Sequence, residues 1–259
     1  MKNTEYVEKL IQITTLKTLY VMGAFGAPLN AKNKTRYKNN NVYNRQPGRQ
    51  AKIDAATADT FAFDCVGYAV KSVLWGFTGD PSKVYGGAKY KSNGVPDSNV
   101  TGFLKKCTDV SDDFSDLSKL IPGEYLYMKD HCGVYIGDGL AVECSPAWKD
   151  GVQITAVNHK RDGYHTRTWL KHGKLPYIEY PAAPVEWIPQ VGEKVIFTGN
   201  THYTNANAIT PKYCRSGYAT VRRIYRWNTA KHPINIKGIK PCTANGWVNK
   251  KDVIQDIAK

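Results

Sequence analysis

The sequence predicts an α+β fold in two domains. Residues 1–180 combine helices with an antiparallel sheet, residues 181–190 are a linker, and residues 191–259 form a small all-β barrel. Three observations carry this. Apolar residues recur at helical spacing near the N-terminus and again after Cys65. Two β-prone runs flank Gly137-Asp138-Gly139, a hairpin signal. After Pro181-Ala182-Ala183-Pro184 only short alternating runs separated by Gly and Asn remain.

In chain order, Tyr6, Val7, Leu10, Ile11, Ile13, Leu16 and Leu19 predict a helix over residues 3–19. Residues 30–52, rich in Asn, Lys and Arg, read as an exposed basic loop, either lining a groove or simply solvated. Val66, Ala69, Val70, Val73 and Leu74 predict a second helix. Asp64 stands at its N-cap and Cys65 in its first turn. Residues 78–100 read as a loop, 100–108 as a short helix, and Asp109 to Asp116 as a solvated acidic turn. Strands are expected over 126–135, 140–143 and 151–157. His159, His165 and His172 lie in a basic, aromatic stretch, and each reads as structural or solvent-facing. In the tail, 191–199 and 219–225 alternate like strands, and Gly246-Trp247-Val248 and Val253-Ile254 close the chain.

Cys65 carries the chemistry. At a helix start, the dipole and unpaired N–H groups favour a thiolate over a thiol. A base is found downstream. A hairpin centred on Gly137 sets His131, six positions before, opposite Glu143, six positions after. A carboxylate beside an imidazole fixes its tautomer and stabilises its charged form. Cys65, His131 and Glu143 are therefore a candidate nucleophile, base and orienter. Cys132 and Cys144 should point to the opposite sheet face, as small hydrophobes against a helix or, alternatively, as a disulfide. Cys214 and Cys242 in the tail could be bridged or free. No Cys-x-x-Cys pair or other metal pattern occurs, so no metal or cofactor is expected.

The 259 residues carry a net charge of +14. Residues 1–180 hold 24 Lys+Arg against 18 Asp+Glu, and residues 181–259 hold 12 against 4, a balance of +8 in the tail. A basic tail implies an anionic partner. Nucleic acid, anionic cell wall and acidic membrane all fit the charge alone, but there is no basic helix and no RNA-recognition or zinc signature. No run approaches the roughly 20 apolar residues of a membrane span, and no secretory signal is recognisable.

Phe63-Asp64-Cys65-Val66-Gly67, Pro122-Gly123-Glu124-Tyr125-Leu126-Tyr127 and His131-x-Gly133-Val134-Tyr135-Ile136-Gly137-x-Gly139 resemble the signature of NlpC-type cysteine peptidases. These are papain-like cell-wall hydrolases that cleave peptidoglycan stem peptides. In that family the third polar residue, twelve positions after the His, is often His, Asn or Gln. Here it is Glu143, and the related CHAP amidases also use acidic residues there, which leaves the bond cleaved open. Tyr20-Val21-Met22-Gly23-Ala24-Phe25-Gly26 resembles the family's Tyr-x-x-Gly-Gly segment, whose Tyr lines the site, although a long insertion separates it from Cys65. In the tail, Val191-Gly192-x-x-Val195-x-Phe197, His202-Tyr203 and Gly246-Trp247-Val248 resemble bacterial SH3-like wall-binding domains.

The resemblance implies a phage- or prophage-endolysin-like peptidoglycan hydrolase. Cys65, His131 and Glu143 would be catalytic, and Tyr20, Asp64 and Tyr203 would bind substrate. It implies a monomer made in the cytoplasm without a signal peptide and acting at the wall after release. Its partners would be peptidoglycan and anionic wall polymers, with no nucleic acid and no membrane insertion. An N-acetylmuramoyl-L-alanine amidase of CHAP type, or a non-catalytic wall-binding protein with a degenerate site, are the alternatives.

Overall fold

The computed structural model describes residues 1–181 and 187–256. The fold is mixed α+β. It divides into two compact units, Met1–Pro181 and Ala182–Lys259. Of the expected linker, residues 182–186 lie outside the described residues.

The first unit opens with the helix Asn3–Ile13, which buries Tyr6, Leu10 and Ile13. It stops six residues earlier than its apolar period suggests. The hydroxyls of Thr14 and Thr15 turn back onto the carbonyls of Ile11 and Gln12. Leu19 then belongs to the strand Thr18–Tyr20. That strand runs parallel to Phe61–Phe63, whose other neighbour, antiparallel, is Phe25–Pro28.

Residues 30–52 are not the expected loop. They form the helices Ala31–Asn40 and Pro47–Ala55, joined through a short 3-10 turn at Tyr43–Arg45. Asn30 caps the first through the Asn33 N–H at 3.0 Å, and Pro47 opens the second. The segment is anchored by buried polar groups. Arg49 makes two 2.7 Å hydrogen bonds to Asp150, and Asn44 bonds the carbonyls of Met22 and Tyr37.

The main sheet has seven strands, in the order Thr108–Ser111, Lys171–Lys174, Tyr125–Met128, His131–Gly137, Leu140–Ser145, Gly151–Val157 and Thr166–Arg167. All pairs are antiparallel except the last. The single strand expected over 126–135 is two strands, folded back at Lys129-Asp130, where Asp130 has φ +61°. The expected acidic turn begins with the edge strand Thr108–Ser111. Side chains alternate across the sheet. Cys132, Val134, Val142, Cys144 and Val152 join the core beneath the Cys65 helix, while Leu126, Tyr135, Ala141 and Val157 pack with Trp169 in a second cluster.

The second unit, over its described residues, is built of strands and one 3-10 turn. Five strands form one antiparallel sheet in the order Asn245–Val248, Ile234–Gly238, Gly217–Ile224, Lys194–Phe197 and Val253–Gln255. Val195, Phe197, Ala219, Val221, Ile234, Ile236 and Val248 give it a core of its own. The strand at Ile234–Gly238 is absent from the sequence expectation, although Ile234 and Ile236 alternate with Asn235 and Lys237 and both are buried.

Candidate active site

The Cys65 helix starts where its capping signal puts it. One Asp64 oxygen accepts the Gly67 N–H at 2.5 Å, and the other accepts the Gly23 N–H at 2.8 Å. The Asp64 N–H in turn bonds the Ala24 carbonyl at 2.8 Å. The segment at residues 20–24 is thus tied directly to the helix start, across the long insertion. Gly67 is required by that approach: a Cβ there would lie 1.8 Å from the Ala24 carbonyl oxygen. The helix widens to a π form over Gly67–Ser72, and such widening is frequent at functional sites.

His131 and Glu143 meet, but not in the expected register. Glu143 pairs with Gly133, one diagonal step from His131, rather than with His131 itself. The turn residues are Asp138 and Gly139, both at positive φ, so the hairpin centre lies beyond Gly137. A bulge between Tyr135 and Gly137 then restores the face. Without it, a one-residue offset would put Glu143 on the opposite side of the sheet. With it, His131 Nε2 lies 2.6 Å from Glu143 Oε2.

Three residues outside the expected trio complete the arrangement. Glu143 is fully buried, and it also accepts from Thr155 Oγ1 at 2.8 Å and Arg167 Nη2 at 2.7 Å. Trp169 stacks on His131, with centroids 5.7 Å apart and planes 14° apart. Asn158 holds the Trp169 backbone through bonds of 2.7 and 3.1 Å. Gly133 makes room for the ring: a Cβ there would stand 2.8 Å from it. Arg167 and Trp169 lie in the basic, aromatic stretch after residue 158, but a strand-to-strand ion pair leaves no local spacing to read.

The electrostatics separate the two reacting groups. The Cys65 thiol is brought down to about 5, first by a hydrogen bond from Cys132, with His131 and the Val66 N–H adding to it against burial. His131 is raised to about 9: burial opposes its charge, but Cys65 and Glu143 outweigh it. Glu143 stays below the usual carboxylate range despite burial, held by His131 and Arg167. Near neutral pH the pair is therefore thiolate and imidazolium. Since Glu143 takes Nε2, Nδ1 is the ring nitrogen left for Cys65.

Cys65 lines a groove of about 460 Å³ with Tyr20, Met22, Asp64, Lys71, Asp97 and Asp130 among its walls. Tyr20 and Asp64 thus sit beside the nucleophile. Burial, then Cys65 and Asp64, push the Tyr20 hydroxyl upward, and its ring meets Tyr43 edge-on. Both Asp64 oxygens are occupied by backbone N–H groups, so its role here is to hold the helix start. Burial first, and the Cys65 charge second, raise it to about 6. None of residues 30–52 lines this groove. Tyr203 belongs to the second unit, where it stacks on His232 with centroids 3.5 Å apart. His172 is buried against Glu124, and His165 stacks on Trp148. Among the described residues no group of His, Cys, Asp and Glu is arranged to hold a metal ion, and no helix is long and apolar enough to cross a membrane. No family model matches the chain, and no curated protein matches it.

Proposed function

We propose that this chain is a cysteine peptidase of papain-like, NlpC type that cleaves an amide bond in peptidoglycan stem peptides. One observation carries the reading: a low-pKa Cys65 at a capped helix start, paired with a charged His131 that a buried Glu143 orients. A helix carrying the thiol, packed against an antiparallel sheet carrying the imidazole and carboxylate, is the arrangement the sequence motifs imply.

The Cys65 thiolate attacks the amide carbonyl carbon. The developing oxyanion meets the Cys65 backbone N–H at the helix start. His131, already protonated, delivers its proton to the leaving amine as the C–N bond breaks, giving a thioester. The neutral imidazole then takes a proton from water, which attacks the thioester carbonyl. Cys65 leaves as thiolate and His131 is again the imidazolium. Glu143 fixes the ring and stabilises its charge throughout, and Arg167 keeps Glu143 ionised. The basic second unit, which we read as SH3-like, would hold the monomeric enzyme on anionic wall polymer, as in an endolysin released to the wall at lysis. The intact trio weighs against a degenerate wall-binding protein, and a CHAP-type amidase is the nearest alternative reaction.

The test is digestion of purified walls with fragments identified by mass spectrometry. New amino groups without new reducing sugars are expected, and the newly exposed residue names the bond. A freed muramic lactyl carboxyl with N-terminal L-alanine would make it the amidase. Cys65→Ala should lower the rate by at least about a thousandfold. Activity surviving at more than a few per cent would remove Cys65 from its role.

A further inference from the structure

We propose that the Cys65 groove continues into a second subsite, an aromatic-walled pocket in which Arg36 binds a carboxylate carried by a peptide residue beside the scissile amide. The proposal rests on the hydrolase reading for its substrate, a stem peptide.

A cavity of about 380 Å³ adjoins the groove. Lys71 and Asp97 line both, so these two residues form a common wall. The second cavity is built largely from segments outside the Cys and His motifs. Arg36 comes from the helix Ala31–Asn40, and Tyr85 and Tyr90 come from the loop after residue 78. Phe25 opens the strand Phe25–Pro28, and Trp75 lies just past the end of the Cys65 helix. The rings brace one another. Phe25 meets Trp75 edge-on with centroids 4.9 Å apart and Tyr85 at 4.6 Å, while Tyr90 meets Trp75 edge-on at 5.2 Å. Tyr90 is exposed, whereas Trp75 is buried.

Charge selects the ligand. The charged side chains lining this cavity are Arg36, Lys71 and Asp97. The last two cancel. One Asp97 oxygen pairs with Lys71, and the other accepts the Tyr90 hydroxyl at 2.9 Å. Arg36 remains. Its guanidinium lies 5.0 Å from the Tyr85 ring centroid and 5.7 Å from that of Tyr37, and Nη1 donates to the Tyr85 hydroxyl. Among the described residues no carboxylate pairs with it. The side chain is half-buried and already held in place, so little further ordering is needed to bind. Its remaining N–H donors match a carboxylate in a two-pronged pair. The aromatic walls keep water off such a pair and strengthen it. A stem peptide offers the matching group. D-glutamate linked through its γ-carboxyl keeps a free α-carboxylate next to the peptide bond that follows. Amidation of that group removes the charge and keeps the shape.

The test measures binding, with the full-length Cys65→Ala protein, which holds substrate without turning it over. Calorimetry would compare L-alanyl-γ-D-glutamyl-L-lysine with the same peptide carrying the α-carboxamide. The acid should bind about tenfold or more tighter, as for a hydrogen bond to a charged partner. Arg36→Gln should bring the acid down to the affinity of the amide, and Arg36→Lys, which keeps the charge but not the fork, should restore only part of the difference. Equal affinity for the two peptides with Arg36 intact, or binding of neither, would overturn the proposal even if the Arg36 variants do not fold. So would a preference for the acid that survives Arg36→Gln. Cleavage is read separately with Cys65 intact. A protein that prefers the acid through Arg36 yet cleaves neither peptide nor walls would lose the hydrolase reading and keep the carboxylate pocket.

Discussion

At the scale of single residues, the site works through charge separation that neither partner sustains alone. Cys65 near 5 and His131 near 9 bracket the pH range in which thiolate and imidazolium coexist. Below the lower value the thiolate is protonated, and above the upper one the imidazolium is lost. The profile of kcat/KM against pH should therefore be a bell with limbs near those values. Glu143→Gln keeps an acceptor for the His131 N–H but removes the anion, leaving Arg167 facing a ring without its counter-charge. The alkaline limb should move to lower pH, with the imidazolium's stabilisation falling about tenfold for each unit. Glu143→Ala should be worse, since it also empties a fully buried site. A limb that stays in place in Glu143→Gln would show that Glu143 does not hold the ring. The nucleophile and base are legible in sequence because a cap, a helix start and a hairpin are local signals. Arg167 and Trp169 are not, because their contacts with Glu143 and His131 exist only once distant strands pair.

At the scale of elements, two glycines set how closely the parts approach. Gly67 lets the Cys65 helix press onto the Ala24 carbonyl, and Gly133 lets Trp169 lie against the His131 strand. Gly67→Ala should cost more than the roughly 1–3 kcal/mol usual for overpacking, since the group it meets is backbone. Gly133→Ala meets both the Trp169 ring and the Val142 carbonyl oxygen at 2.8 Å, so it should cost less than Gly67→Ala, whose contact is 1.8 Å, but more than Gly48→Ala, and it should reduce activity by releasing His131. Gly48 meets nothing within 4 Å in its helix, so Gly48→Ala should be neutral or stabilising by up to about 1 kcal/mol. Denaturant unfolding of the three variants checks the order. If Gly67→Ala matched Gly48→Ala, the close approach at the helix start would be wrong. Polar composition hid the helices within residues 30–52, because their stability comes from Asn30, Pro47 and the buried Arg49–Asp150 pair rather than from an apolar stripe. The hairpin register is not legible for a related reason. The Asp-Gly turn is readable, but the bulge that corrects its parity is set by pairing along the whole strand.

At the scale of the whole molecule, the charge is divided as the chain is. The Pro-rich boundary and the change to short strands are visible in sequence because composition shifts there. The second unit's own core and five-stranded sheet give it the means to fold alone. A fragment of residues 182–259 should therefore show a cooperative unfolding transition and bind Gram-positive walls without lysing them. Two mechanisms of binding make different demands. The 12 Lys+Arg against 4 Asp+Glu in residues 181–259 favour attraction to anionic polymer, which weakens steeply as salt shortens the screening length from about 30 Å at 0.01 M to about 3 Å at 1 M. A shaped site would instead be the cavity lined by Asn205, Asn207, Arg223, Tyr225 and Trp247. Tyr203 is not in that lining, being stacked on His232, so Tyr225→Ala is the sharper probe. The charge balance predicts that cosedimentation with walls is strong at low salt and lost at high salt, with Tyr225→Ala changing it little. Binding that survives high salt and falls in Tyr225→Ala would assign recognition to the cavity. A fragment that stays in the supernatant at low salt would deny the second unit a wall-targeting role, and the Cys65 groove would then have to find its substrate unaided.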